Sequence, residues 1–193
     1  MPTLICLLLC IGLLPAGEVP VLGFSGADGV PARIAAIALD RLAQRGATTC
    51  AAPVTLRLDA TLAAGAYRIA DADGGVQVSA SDGAALIAGT GRLLRDGSHD
   101  DGRFTAGAWR GTATPGSAFR AAYLATHFRN WYEEAPIADV CTYVEDLGLW
   151  GYNTITVHYP TWQFGGLNAG KSQEWLDRVR QVFTRARACG LRV

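Results

Sequence analysis

The strongest constraint on the fold is an alternation of short apolar runs and amphipathic helical segments that begins near Phe119. Residues 121–125 are apolar, and residues 136–150 repeat apolar positions every three or four places. Residues 153–158 are predicted to form the next strand, and a second helical periodicity covers residues 172–190, with Ser172 as the expected N-cap. A strand–helix–strand–helix series predicts parallel strands, in either a doubly wound sheet or a closed barrel.

A different pattern precedes this alternation. Residues 30–45 have helical periodicity, and residues 54–59 alternate between apolar and polar. Residues 66–80 carry the turn signal Asp71-Ala-Asp-Gly-Gly between two short runs, which predicts a hairpin. A further helix is expected from residue 83, with Ser81 or Asp82 as its cap, although Gly89 and Gly91 weaken its propensity.

The order helix, strand, hairpin, helix predicts an α+β domain in which an antiparallel sheet carries two helices on one face. Residues 96–116 are rich in glycine, aspartate, serine and threonine, and indicate a connector with at most one strand. We therefore expect an α+β domain over residues 18–117 and a second domain over residues 118–193.

The first 17 residues resemble an export signal. The apolar run from Leu4 to Leu14 is too short to span a membrane, and small residues follow it, which predicts an exported protein without stable membrane insertion. A buried N-terminal strand or a wrongly assigned start is the alternative. Cys50, Cys141 and Cys189 show neither a disulfide framework nor metal-ligand spacing, so no metal is expected.

Charge and loop composition exclude several classes of partner. Lysine plus arginine and aspartate plus glutamate both number 17, without a run of either sign, which argues against nucleic-acid binding. The turn after the first strand, residues 126–134, contains no glycine, so it does not suit a pyrophosphate, and no cofactor is predicted. No oligomeric state is predicted.

Aromatic and polar residues follow both predicted strands. Because the carboxyl ends of parallel strands open on one side of a sheet, these residues are expected to converge. Tryptophan and tyrosine stack on sugar faces, while histidine and asparagine bond to hydroxyls, so the mixture predicts a carbohydrate-binding wall. A purely structural cover over the sheet is the alternative. The candidates are His127, Asn130 and Trp131 after the first strand, and His158, Tyr159 and Trp162 after the second.

Carboxylates in this region are expected to have structural roles. Glu133 and Glu134 directly precede a helix, where negative charge complements the helix dipole. Asp139, Glu145 and Asp146 belong to that helix, whose outer face is expected to be solvated.

The segment from Val140 to His158 resembles the first helix and second strand of the barrel in family 20 β-N-acetylhexosaminidases. Asn153 matches the asparagine of that pattern and His158 its second histidine, while Thr156 replaces the first. The stretch from Arg120 to Phe128 is similar to the first strand of the same family, which carries a sugar-binding arginine. Residues 83–97 resemble the domain that precedes the barrel in those enzymes and in family 67 α-glucuronidases.

The resemblance implies the first βαβα(β) units of a truncated (β/α)8 barrel in a glycoside hydrolase that acts on a carbohydrate substrate, with Arg120 joining the binding residues. It places the acid/base pair after the fourth strand, beyond Val193, so no catalytic residue is assigned here. The chain alone is expected to be inactive. A non-catalytic carbohydrate-binding or interaction module is the alternative.

Overall fold

The structure is a computed structural model that describes residues 23–125, 130–158, 165–166 and 168–193. The expected export signal and the candidates His127, Tyr159 and Trp162 lie outside the described residues. The described helices are α1 (Val30–Gln44), α2 (Gly83–Asp96), α3 (Trp131–Glu134), α4 (Ile137–Leu149) and α5 (Gly170–Ala188). The described strands are β1 (Phe24–Gly26), β2 (Thr49–Cys50), β3 (Val54–Leu58), β4 (Tyr67–Ala72), β5 (Gly75–Ala80), β6 (Ser98–Asp100), β7 (Arg103–Thr105), β8 (Gly111–Ala113), β9 (Ala121–Leu124) and β10 (Thr154–Val157).

The first sheet has five strands in the order β1-β3-β5-β4-β8 and is mixed, so the expectation of an antiparallel sheet is wrong. The β4–β5 hairpin is antiparallel as predicted, but β1 pairs with β3 in parallel, and β3 pairs with β5 in parallel. There are two physical reasons: β1 has only three residues, too few to show an alternating pattern, and β5 lies between β3 and β4, so it pairs with both. Helix α1 carries the chain back from β1 to β3 as a crossover, which makes those two strands parallel.

The segment expected to be a connector contains more structure than predicted. Strand β8 adds to the edge of the five-stranded sheet beside β4. Strands β6 and β7 form a second small sheet together with β2. Strand β9 belongs to neither of these sheets, because it pairs in parallel with β10 in a separate two-stranded sheet.

Helix α2 lies at the centre of the molecule. The side chain of Asp82 caps it by accepting a hydrogen bond from the Ala85 amide at 2.8 Å. One side of α2 packs on the first sheet, where Gly89 lies against the ring of Tyr67. Its other side packs on α4, where Gly91 lies against the carbonyl of Leu149. The two glycines that weaken the helical propensity of α2 therefore permit close contact on both of its sides.

Helices α4 and α5 pack on each other and cover one face of the β9–β10 sheet. Pro136 is the N-cap of α4 rather than its first helical residue. The prediction of Ser172 as the cap of α5 is wrong, because α5 starts at Gly170 with Ala169 as its N-cap. The Ser172 hydroxyl, which is buried, instead donates to the Gly166 carbonyl at 2.5 Å. After α5, Arg192 forms a parallel bridge with Thr154 on the far side of β10 from β9.

Candidate functional site

The two faces of the β9–β10 sheet differ in exposure. The face toward α4 and α5 carries Leu124 and Ile155, which are buried. The opposite face carries Tyr123, whose exposed fraction is 52%, and Thr156, its register partner on β10, which is also exposed. His158 directly follows β10 and is exposed. An aromatic ring, a hydroxyl and an imidazole are thus available to solvent at or near the carboxyl ends of two parallel strands.

Asn130 lies after β9, at the same edge of the sheet. Its side-chain amide donates a hydrogen bond to the carbonyl of Ala125, one residue past the end of β9. Its side-chain oxygen is buried and has no hydrogen-bond partner among the described residues. Asn130 occupies the N-cap position of α3, but its side chain does not cap that helix. The side-chain nitrogen of Asn130 is therefore bonded to the backbone just after β9, while its side-chain oxygen accepts no hydrogen bond from the described residues.

Trp131 turns toward helix α4. Its ring centroid lies 5.4 Å from that of Tyr132 and 5.6 Å from that of Tyr143, both in edge-on geometry. Tyr143 is on the exposed side of α4, and 48% of the Trp131 side chain is also exposed. The indole therefore lies along the outside of α4, where its contacts are with helix residues.

Tyr132 and Trp175 cover the carboxyl ends of the strands on the helix side. Together with Leu124 and Val157, the last residues of β9 and β10, they line a small apolar cavity. The Arg178 guanidinium supports this cover by donating to the backbone carbonyl of Tyr132 at 3.2 and 3.3 Å. It also donates to the carbonyl of Ala135.

Burial of Tyr132 and its hydrogen bond to Tyr143 raise the pKa of the Tyr132 phenol to about 12. A pKa raised by folding stabilises the native state fully below the unfolded value of about 10, and this contribution is lost as the pH rises through about 12. We expect the melting temperature to fall between pH 10 and pH 12, and to fall less in Tyr132→Phe. Thermal melts across this range measure the difference. An equal fall in both proteins would contradict the assignment, and Tyr152→Phe is the control.

Arg120 and Asn153 lie at the amino ends of the same strands. The Arg120 side chain donates to the carbonyl of Gly151 at 2.6 Å and to that of Ser117 at 2.6 Å. It borders a cleft of about 430 Å³ whose wall includes Asn153 and Asp82. The structure therefore does not bring Arg120 together with Asn130 and His158, which lie at the opposite ends of the strands.

The close carboxylate pair Glu133 and Glu134 lies in the first turn of α3. Both residues line a groove between α3 and α5 that also contains Lys171 and Arg178. Among the described residues, no group of three or more histidine, cysteine, aspartate or glutamate side chains could hold a metal ion. Within the same residues, no helix is long and apolar enough to cross a membrane.

The candidates thus divide into four groups. Asn130 and His158 lie at the carboxyl edge of the β9–β10 sheet, the Trp131 ring lies along the outside of α4, and Arg120 lies at the amino edge. His127, Tyr159 and Trp162 are outside the described residues. Sequence reasoning missed Tyr123. The available signal was its place in β9, where it is the one large residue on the face opposite Leu124.

Neither family models nor curated proteins match this chain. Several solved structures do match it. An exo-β-N-acetylglucosaminidase of glycoside hydrolase family 20 from Vibrio harveyi aligns with a TM-score of 0.60 and 12% identity, over 88% of this chain and 31% of that one. The family 20 β-N-acetylhexosaminidase from Streptomyces coelicolor aligns with a TM-score of 0.56 and 20% identity, over 90% and 41%. This chain has the fold of part of a family 20 glycoside hydrolase.

A family 138 enzyme that targets pectin rhamnogalacturonan II also aligns, with a TM-score of 0.57 and 14% identity, over 88% of this chain and 23% of that one. The resemblance to glycoside hydrolases predicted from the sequence is therefore confirmed at the level of fold. The chain spans between about a quarter and two fifths of the length of these three structures.

Proposed function

We propose that this chain is part of an exported glycoside hydrolase that acts on O-glycosidic bonds. Residues 18–117 are its accessory α+β domain, and residues 118–193 are the first βα units of its (β/α)8 barrel. The substrate is a β-N-acetylhexosaminide or an α-glucuronide. The fold likeness supports the reaction class, and the order β9-α4-β10-α5 with the Arg192 bridge fits the start of a parallel barrel.

The observation that carries the proposal is the exposed face of the β9–β10 sheet. In a (β/α) barrel, helices cover the outer face of the strands, and ligands bind at the carboxyl ends. Here α4 and α5 cover one face, while Tyr123, Thr156 and His158 remain exposed on the other face or just after it. A phenol ring can stack on an apolar sugar face, and a hydroxyl and an imidazole can bond to sugar hydroxyls.

Titration of the chain with N-acetylglucosamine and with glucuronic acid, followed by NMR, tests this proposal. We expect His158→Ala and Tyr123→Ala each to weaken binding about fivefold to tenfold, because each removes one direct contact worth about 1 kcal/mol. Their melting temperatures should change little, because both side chains are exposed. Tyr152→Ala is the matched control, since Tyr152 is an exposed tyrosine at the amino end of β10.

Two outcomes would overturn the proposed site. Binding that is unchanged in both variants would place the sugar elsewhere. A large loss of stability with normal affinity in the folded fraction would assign these residues a structural role.

A further inference from the structure

Helix α4 carries a carboxylate that is almost completely buried. Only 3% of Glu145 is exposed, so the expectation that it lies on a solvated outer face is wrong. The cause is a pair of arginine side chains that reach this side of α4 from α1. Arg33 of α1 donates to Oε1 of Glu145, and Arg41 of α1 donates to Oε2 at 3.0 Å.

A third arginine reaches the same carboxylate from the other side. Arg185 of α5 donates to Oε1 of Glu145 at 2.6 Å. Glu145 is therefore the common partner of residues from α1 and α5. The two α1 contacts join residues 104 and 112 positions apart in the sequence, whereas the α5 contact joins residues 40 positions apart.

Arg41 makes the largest number of these contacts. Its Nε donates to Asp146 at 2.7 Å, and a terminal nitrogen donates to the Thr142 carbonyl at 3.3 Å. It also pairs with Asp40. Burial opposes the charge on Arg41, but the carboxylates of Asp146 and Glu145 outweigh that effect and raise the pKa of its guanidinium.

The cluster is balanced in charge. Its three guanidinium groups belong to Arg33, Arg41 and Arg185, and its three carboxylates belong to Asp40, Glu145 and Asp146. Removing one partner of a buried ion pair leaves an uncompensated charge, which is strongly destabilising. Arg185 donates to only one of the two Glu145 oxygens. The α1 arginines are therefore needed for Glu145 to stay ionised in its buried position.

Helix α2 also contacts α4. The Arg95 guanidinium donates to the Leu149 carbonyl at the end of α4 at 2.6 Å, and it lies 4.7 Å from the centre of the Trp150 ring. Ile87 packs against Gly148 of α4. Two helices of the N-terminal region thus hold one helix of the βα units, through an ionic cluster at α1 and close packing at α2.

We propose that the N-terminal region acts as an intramolecular clamp for the βα units, in which Arg33 and Arg41 of α1 hold α4 and α5 through Glu145. The first sheet with α1 and α2 and the βα units from β9 to α5 then unfold as one cooperative unit. This role is independent of the proposed carbohydrate function, and it would hold for an inactive chain.

The test uses the whole chain with Arg41→Ala, Glu145→Gln and the double variant. We expect each single variant to lower the melting temperature by roughly 5 °C or more, because each breaks a buried pair. The double variant should lose clearly less than the sum of the two, because both changes remove the same contact. Arg180→Ala is the matched control, since Arg180 pairs with Asp177 on the exposed surface of α5, where the expected shift is below about 2 °C.

Hydrogen exchange separates a clamp from a local role. Arg41 belongs to α1, so a local role predicts faster exchange in α1 alone. A clamp predicts that in Arg41→Ala the amides of α4 and α5 exchange faster while the β3–β5 core stays protected. If Arg41→Ala does not fold, Arg41→Lys serves in its place, because a lysine cannot bond to Glu145, Asp146 and Thr142 together. Unchanged protection of α4 and α5, or additive melting shifts, would overturn the proposal.

Discussion

Replacement of Gly91 by alanine is expected to lower the free energy of unfolding by about 3 kcal/mol. A Cβ atom built at this position lies 1.8 Å from the Leu149 carbonyl oxygen, a distance at which one of the two backbones must move. Helix α2 is packed between the first sheet and α4, so it has no free direction in which to shift. Urea denaturation of the wild-type chain and of Gly91→Ala measures the effect.

The sign of this change is informative, because glycine to alanine inside a helix ordinarily stabilises it by up to about 1 kcal/mol. Gly170→Ala at the start of α5 is the matched control, since a Cβ there meets nothing within 4 Å. We expect that variant to be as stable as the wild type or slightly more stable. If both variants were stabilised, α2 and α4 would not be in the close contact described here.

The sequence predicted the elements that local burial determines. Helices α1, α2, α4 and α5 lie within a few residues of their expected limits, because an apolar stripe at helical spacing reports which side of a helix is covered. The hairpin was also predictable, since Asp73 and Gly74 have φ values of 49° and 75° and form the tight turn that an Asp-Gly pair favours. In these cases the residues that determine the structure lie within the same short segment of the chain.

The features that were missed depend on partners far away in the sequence. Strand β1 is too short to show a period, and the sheet is mixed because β1 pairs with β3 in parallel and β3 pairs with β5 in parallel. Glu145 carries a charge, which predicts exposure, and nothing in that segment reveals that arginine side chains from α1 reach it. The position of Trp131 likewise depends on Tyr143, one element further along the chain. The residue types at these positions predicted which interactions the side chains can make. Only tertiary contacts determine the direction in which each side chain points.

Asn153→Leu is expected to lower the free energy of unfolding by about 3 kcal/mol. Asn153 is 6% exposed, and its side chain joins three neighbours at the amino ends of the strands. The amide donates to the Ala118 carbonyl at 2.8 Å, and its oxygen accepts from the Arg120 backbone amide at 3.0 Å and from the Thr154 hydroxyl at 3.1 Å. Leucine has the same side-chain branching and number of heavy atoms but makes none of these bonds, so it leaves buried polar groups without partners.

Chemical denaturation of Asn153→Leu beside Asn168→Ala isolates this contribution, because Asn168 is exposed and its loss should change stability by less than about 0.5 kcal/mol. The comparison also distinguishes the two ends of the sheet. Asn153 matches the asparagine of the family 20 pattern, yet its side-chain bonds are to Ala118, Arg120 and Thr154 at the amino ends, away from His158. A structural role there predicts lost stability, with sugar affinity retained by the folded molecules. Lost affinity at unchanged stability would instead move the binding site to the cleft beside Arg120.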